Sequence, residues 1–96
     1  MIRHIVLFSA KDPAELPAIR AALARLGKIP GARHFEVGVN AKRDPLSQEI
    51  DLVVYGEFDG FAELERWKAH PLYQETTAAV RPRRELRIAA DYEVPG

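Results

Sequence analysis

Three histidines, His4, His34 and His70, carry most of the chemistry open to this chain. Imidazole titrates near neutral pH, so each could give or take a proton, and its ring nitrogens also bind metals. The three are scattered, with no pair four residues apart on a helix, and no carboxylate cluster accompanies them, so no metal site is expected. The chain has no cysteine, which removes disulfides, thiolate ligands and thiol nucleophiles together. It also lacks a glycine-rich phosphate loop, a dinucleotide fingerprint and a convincing Ser-His-Asp order. His4 sits among Ile2, Val6 and Phe8. There it is either an acid/base or ligand-bonding group on a pocket floor, or a buried histidine satisfied by a neighbour. His34, between Arg33 and Phe35, reads as exposed.

His70 stands in "RWKAHPLYQ", before Pro71, with Trp67 three residues upstream and Tyr73 three downstream. The imidazole could enter a cavity beside Tyr73. The favoured reading is structural: Pro71 pushes His70 out of the helical region, where its ring can cap free backbone groups at a joint between two helices. Trp67 and Tyr73 each pair a large apolar body with one polar handle, as a small-molecule pocket wall requires; ordinary core is the alternative for Trp67. Tyr55 has the same two readings, with a sheet-to-sheet interface as its other home. The run "RPRRE", Arg81 to Glu85, could meet a phosphate or carboxylate but reads first as a solvated connector.

These side chains must be positioned by a small frame. A chain of 96 residues, 47% hydrophobic and 29% charged, is expected to form one domain, residues 1–96, of ordinary globular composition. Lys plus Arg balance Asp plus Glu at 14 each, which argues against nucleic acid or an anionic membrane surface as partner. No apolar run approaches the ~20 residues of a bilayer span, and no signal-peptide pattern precedes the first strand. A cytoplasmic location is the default expectation.

Ile2 to Ser9 reads as a strand with apolar side chains on both faces: Ile2, His4, Val6 and Phe8 against Ile5 and Leu7. Asp12-Pro13, with Glu15 as a box-like acid, opens a helix carrying Leu16, Ile19, Leu23 and Leu26 on one stripe, and Gly27 suits its C-terminal cap. Ala32 to Asn40 and Ile50 to Phe58 are the second and third strands, the latter with Leu52 and Val54 opposed to Val53 and Tyr55. Asp59-Gly60 starts a second helix that breaks at His70. A shorter helical piece with Pro71 as its first residue runs to Val80, and a fourth strand carries Leu86, Ile88, Ala90, Tyr92 and Val94. The order β-α-β-β-α-β predicts an α+β, ferredoxin-like fold: a four-stranded antiparallel sheet with helices on one face.

Helices on one face leave the other uncovered, although its side chains are apolar. Four strands at ~4.8 Å spacing and ~18 Å length present on the order of 350 Å². At ~25 cal/mol per Å², covering that area would contribute at most about 9 kcal/mol per subunit. A second copy, packed sheet to sheet about a two-fold axis, is the economical cover.

The segments "MIRHIVLF", "IPGARHFEVGVN", "EFDGFAELERWKAHPLYQ" and "DYEV" together resemble the stress-responsive α/β-barrel (Dabb) domain over nearly the whole chain. The resemblance implies ferredoxin-like subunits that dimerise through their sheets into one barrel. It also implies a cavity between sheet and helices, with His4 facing it. In a plant polyketide cyclase of this family, which works without cofactor, a first-strand histidine and another just after a His-Pro step do the chemistry. His4 matches the first, and His70-Pro71 matches the step. The second histidine falls on Tyr73 and its assisting tyrosine on Trp67, and tyrosine, with a reference pKa of ~10, is a poor base at neutral pH.

Two functions follow. The first is a homodimer binding a small hydrophobic or aromatic metabolite, with His4 leading proton transfer and Trp67, Tyr73, Phe8 and Tyr55 shaping the wall. It would support cofactor-free cyclisation, isomerisation or oxidation, with His70 and Tyr73 as secondary catalytic candidates. The second is a non-catalytic, stress-associated structural dimer. A cavity of a few hundred Å³ beside His4 would favour the first; Trp67 and Tyr73 collapsed onto His4 would favour the second.

Overall fold

Strand β1, Ile2–Ala10, alternates buried and half-buried residues along most of its length, with Ile2, His4, Val6 and Phe8 buried. The computed structural model describes residues 1–96 and places β1 in the middle of a four-stranded antiparallel sheet ordered β2-β3-β1-β4. The remaining strands are β2 (His34–Val39), β3 (Leu52–Phe58) and β4 (Arg84–Glu93). The helices are α1 (Leu16–Ala24), α2 (Phe61–Lys68) and α3 (Pro71–Val80). This is the ferredoxin-like arrangement that the element order predicts.

The ladder settles which face is which. Ile2, Val6 and Phe8 pair with Phe58, Val54 and Leu52 of β3, and all six join Ile19, Leu23, Leu26, Leu64, Trp67 and Val80 in one apolar core. Thus all three helices contribute to covering one face. The opposite face carries Ile5 beside Tyr55 and Ala90, and Leu7 beside Val53 and Ile88. Nothing in the chain covers it: Ile88 is 51% and Tyr92 40% exposed.

Several local expectations change. Asp12 caps a short 3-10 turn, Pro13–Glu15, by accepting from the Ala14 N–H at 3.0 Å. Glu15 does not close a capping box; its carboxylate accepts from Arg83 at 2.7 Å, tying the start of this layer to the chain before β4. Gly27 is not a left-handed cap but lies within a 3-10 turn, Arg25–Lys28. A Cβ there would come 3.3 Å from the Phe35 ring, so close packing is what suits glycine. The "RPRRE" connector is also shorter than expected, because Arg84 and Glu85 already belong to β4.

The helical break falls at His70. Its backbone is extended (φ −63°, ψ 140°), Pro71 is the first residue of α3, and the ring Nδ1 accepts from the Leu72 N–H at 3.0 Å. That bond satisfies one of the free donors of a helix start.

Candidate functional site

Antiparallel pairing of β1 with β4 sets His4 directly opposite Asp91. Both project to the helical side, and His4 Nδ1 meets the Asp91 carboxylate in a close hydrogen bond. A carboxylate only accepts, so Nδ1 carries the proton of the neutral ring and Nε2 keeps its lone pair for a ligand. Burial pushes the His4 pKa below 6.5; the hydrogen bond and charge of Asp91 oppose that shift, while the charges of Lys68 and Arg87 reinforce it. Lys68 Nζ also stands 3.9 Å from the second Asp91 oxygen. The result is a neutral base, oriented by a carboxylate and only 2% exposed.

Aromatic rings surround that base. The Trp67 and Phe58 rings approach His4 edge-on, with centroids 6.0 and 6.4 Å away, and Tyr73 continues the cluster at 5.3 Å from Trp67. Gly56, paired with His4 across the β1–β3 ladder, makes room for the Phe58 ring beside it: a Cβ there would lie 2.9 Å from Phe58 Cε2. The Trp67 Nε1–H is buried without a protein acceptor.

The space touching His4 is small. A chamber of about 20 Å³ is bounded by His4, Phe8, Trp67, Tyr73, Thr77 and Arg87, among others. That holds about one water-sized group and falls far short of the few hundred Å³ a metabolite needs. Outside it lies a vestibule of about 260 Å³ that shares Phe8, Leu23, Tyr73, Thr77 and Arg87 with the chamber. Tyr73 therefore stands on the wall between the two spaces.

The other sequence candidates separate. Phe8, Trp67 and Tyr73 converge on His4. Tyr55 does not reach the chamber, because it lies on the open face, where its hydroxyl donates to Glu57 at 2.6 Å; that bond holds its pKa above 10.0. His70 is away from His4 as well, beside a separate surface hollow with Arg66 and Ile29, its Nδ1 spent on the cap. His34 is exposed on its side chain and bonded to Glu36. No group of three His, Cys, Asp or Glu side chains comes together to hold a metal ion. No helix is long and apolar enough to cross a membrane.

Asp91 is the site residue that sequence reasoning missed. The apolar run Leu86, Ile88, Ala90 and Tyr92 draws attention to the opposite parity of β4, yet that run faces away from the helices. The usable signal was positional: antiparallel pairing sends the early residues of β1 to the late residues of β4, where Asp91 and Glu93 are the two carboxylates of the correct parity.

The largest hollow, about 690 Å³, lies elsewhere, between α1 and the ends of β2 and β3. None of the candidate residues lines it. Its charged pair, Lys42 and Asp51, is spent on itself at 2.7 Å.

The family model described as Stress responsive A/B Barrel Domain matches residues 2–94. Among solved structures, the chain is similar to a dimeric protein of unknown function with a ferredoxin-like fold from Bacteroides fragilis. The identity is 27%, the TM-score 0.78, and the match covers 97% of this chain and 95% of that one. A dimeric ferredoxin-like protein of unknown function from Thermobifida fusca is 25% identical, with a TM-score of 0.81 and coverage of 97% and 90%. A hydroxynitrile lyase from Passiflora edulis shares the fold at 19% identity, with a TM-score of 0.79 and coverage of 98% and 93%. No curated protein matches the sequence significantly.

Proposed function

The chain belongs to the stress responsive A/B barrel domain family, and from that premise we propose that it acts as a homodimer binding a small apolar or aromatic molecule against His4 and moving a proton on it. The observation that carries this reading is the buried His4, which lines the chamber and is hydrogen-bonded to the partly exposed Asp91 carboxylate. Burying a titratable imidazole in an apolar cluster costs free energy that an apolar side chain in its place would not. A base with a shifted pKa and an orienting carboxylate is what general base catalysis uses. His4 Nε2 would take the proton, Asp91 would hold the ring in its tautomer, and Trp67, Phe8 and Tyr73 would form the wall. Since the chamber holds only about 20 Å³, a ligand would reach His4 by displacing a side chain shared with the vestibule, and Tyr73 is the largest aromatic one.

Dimerisation is supported by the uncovered apolar face around Ile5, Leu7, Val53, Tyr55 and Ile88 and by the dimeric state stated for the Bacteroides and Thermobifida proteins. Burying such a face is worth several kcal/mol at ~25 cal/mol per Å².

One observation favours the second reading, a non-catalytic structural dimer: Trp67 packs on His4 and Tyr73 on Trp67, leaving only about 20 Å³ beside the imidazole. A thermal-shift screen with substituted phenols and aromatic acids separates the two. Ligand binding to His4 predicts a stabilisation that is lost in His4→Ala and enhanced in Tyr73→Ala, which enlarges the chamber. Ligand shifts that ignore both substitutions, or none at all, would leave the structural dimer.

A further inference from the structure

The vestibule outside Tyr73 gathers Arg81, Arg84 and Arg87 around one mouth, with no acidic residue in its lining. The chain as a whole has no net charge, so this is a local concentration of cations. Arg25, Arg33, Arg66 and Arg83 each pair with a carboxylate; Arg81, Arg84 and Arg87 pair with none. Three guanidinium groups left together without counter-charges repel one another, and that cost falls when an anion joins them.

A backbone irregularity builds the cluster. Leu86 pairs with Ser9, but the next residue of β1, Ala10, pairs with Arg84, so Glu85 is one residue in excess and forms a bulge. In an unbroken ladder Arg84 would share the open face with Leu86. The bulge turns it to the helical side, where Arg87 already lies opposite Phe8; re-aiming a side chain is a recognised use of a bulge. Ser9 holds the irregularity in place: its hydroxyl, on a residue 8% exposed, accepts the Leu86 N–H at 3.1 Å.

We infer that this mouth binds the carboxylate of a compact apolar acid whose body points past Tyr73 toward His4. Planar guanidinium groups match carboxylate geometry, and Phe8, Leu23 and Val80 supply the apolar side of the same space. A vestibule of about 260 Å³ suits an anionic head with a short body better than a nucleotide-sized group. The inference deepens the proposed function and rests on it for the direction in which the body points.

The test is calorimetric titration at low salt with benzoate, cinnamate and octanoate, each against its neutral amide, with inorganic phosphate as a further arm. Acids are expected to bind at least about tenfold more tightly than amides, as charged hydrogen bonds imply. Arg84→Gln and Arg87→Gln should each remove most of that advantage, while Arg43→Gln, in the exposed loop before β3, should keep it. Added salt should shrink it. Equal binding of acid and amide by the unaltered protein overturns the inference without requiring any variant to fold. So does binding of neither, and so does phosphate binding as well as the carboxylates. If phenols bind in a His4-dependent manner while acids gain nothing, the inference falls and the proposed function stands. If acids bind through the arginines regardless of His4, the mouth is real and the proton-transfer reading falls.

Discussion

His4 and Asp91, 87 residues apart, face each other across the β1–β4 ladder and join through Nδ1 and a carboxylate oxygen. The pair fixes the imidazole tautomer and leaves the Nε2 lone pair unprotonated. Asp91 is thus a positioning residue, and its role can be separated from simple structural support. In Asp91→Asn the two influences that raise the His4 pKa are weakened, so the ring should titrate at still lower pH. NMR of the imidazole ¹H and ¹⁵N resonances would report both the pKa and a loss of the fixed tautomer. An unchanged titration would contradict the assignment. Asp91→Ala, which leaves a buried donor without its acceptor, should also cost about 1–3 kcal/mol in urea unfolding.

The pH dependence of stability has a definite sign. The His4 pKa is lower in the folded chain than the reference value of 6.5, so the unfolded chain takes up the proton first. Its contribution is whole above pH ~6.5 and is lost as pH falls through the folded-state value. The urea midpoint should therefore drop between pH 7.5 and pH 5, and His4→Gln should show a smaller drop than the parent protein. Parallel pH profiles for the two would refute it.

The open sheet face predicts association. Leu7→Arg would place a charge where Val53 and Ile88 flank it. Desolvating an unpaired charge costs several kcal/mol, so dimer affinity should fall at least about 100-fold. Sedimentation at micromolar concentration would show the parent as a dimer and the variant as a folded monomer. A parent protein that sediments as one chain removes the homodimer.

Gly56 predicts a packing cost close to the site. A methyl group there sits 2.9 Å from the Phe58 ring, whose residue is fully buried. Gly56→Ala should lose about 1–3 kcal/mol through overpacking and change the fluorescence of Trp67, whose ring lies 5.2 Å from Phe58. Unaltered stability would mean that the aromatic cluster gives way freely.

His70 should behave as a cap. His70→Ala is expected to cost about 0.5–2 kcal/mol, as loss of other side-chain caps does, with His70→Asn recovering part of it. Neither should change ligand affinity, measured by the same titrations. A large effect on binding at unchanged stability would return His70 to the list of proton-transfer candidates.

Local pattern was enough for most of the frame. Pro71 forces the break after Ala69 whatever surrounds it, and the stripe of Ile19, Leu23 and Leu26 can only be a helix with one buried face. Alternation along β1 and β3 exposed the two-sided apolar sheet, and with it the need for a partner. Where the reading faltered, the deciding partner was distant. Glu15 looked like a capping-box acid because its local spacing was right, but Arg83 offered a better bond. Tyr55 could have lined a cavity or an interface, since strand parity has no absolute sense until one face is assigned to the helices.

The sequence by itself determined the element order, the apolar character of both sheet faces and the short list of groups able to move a proton, because periodicity, proline geometry and residue type act over a few neighbours. Only the tertiary structure decided that Asp91 meets His4 and that a bulge at Glu85 brings Arg84 round to Arg87. Those are questions of register between strands more than seventy residues apart, and a single extra residue in one strand reverses the face on which a side chain emerges.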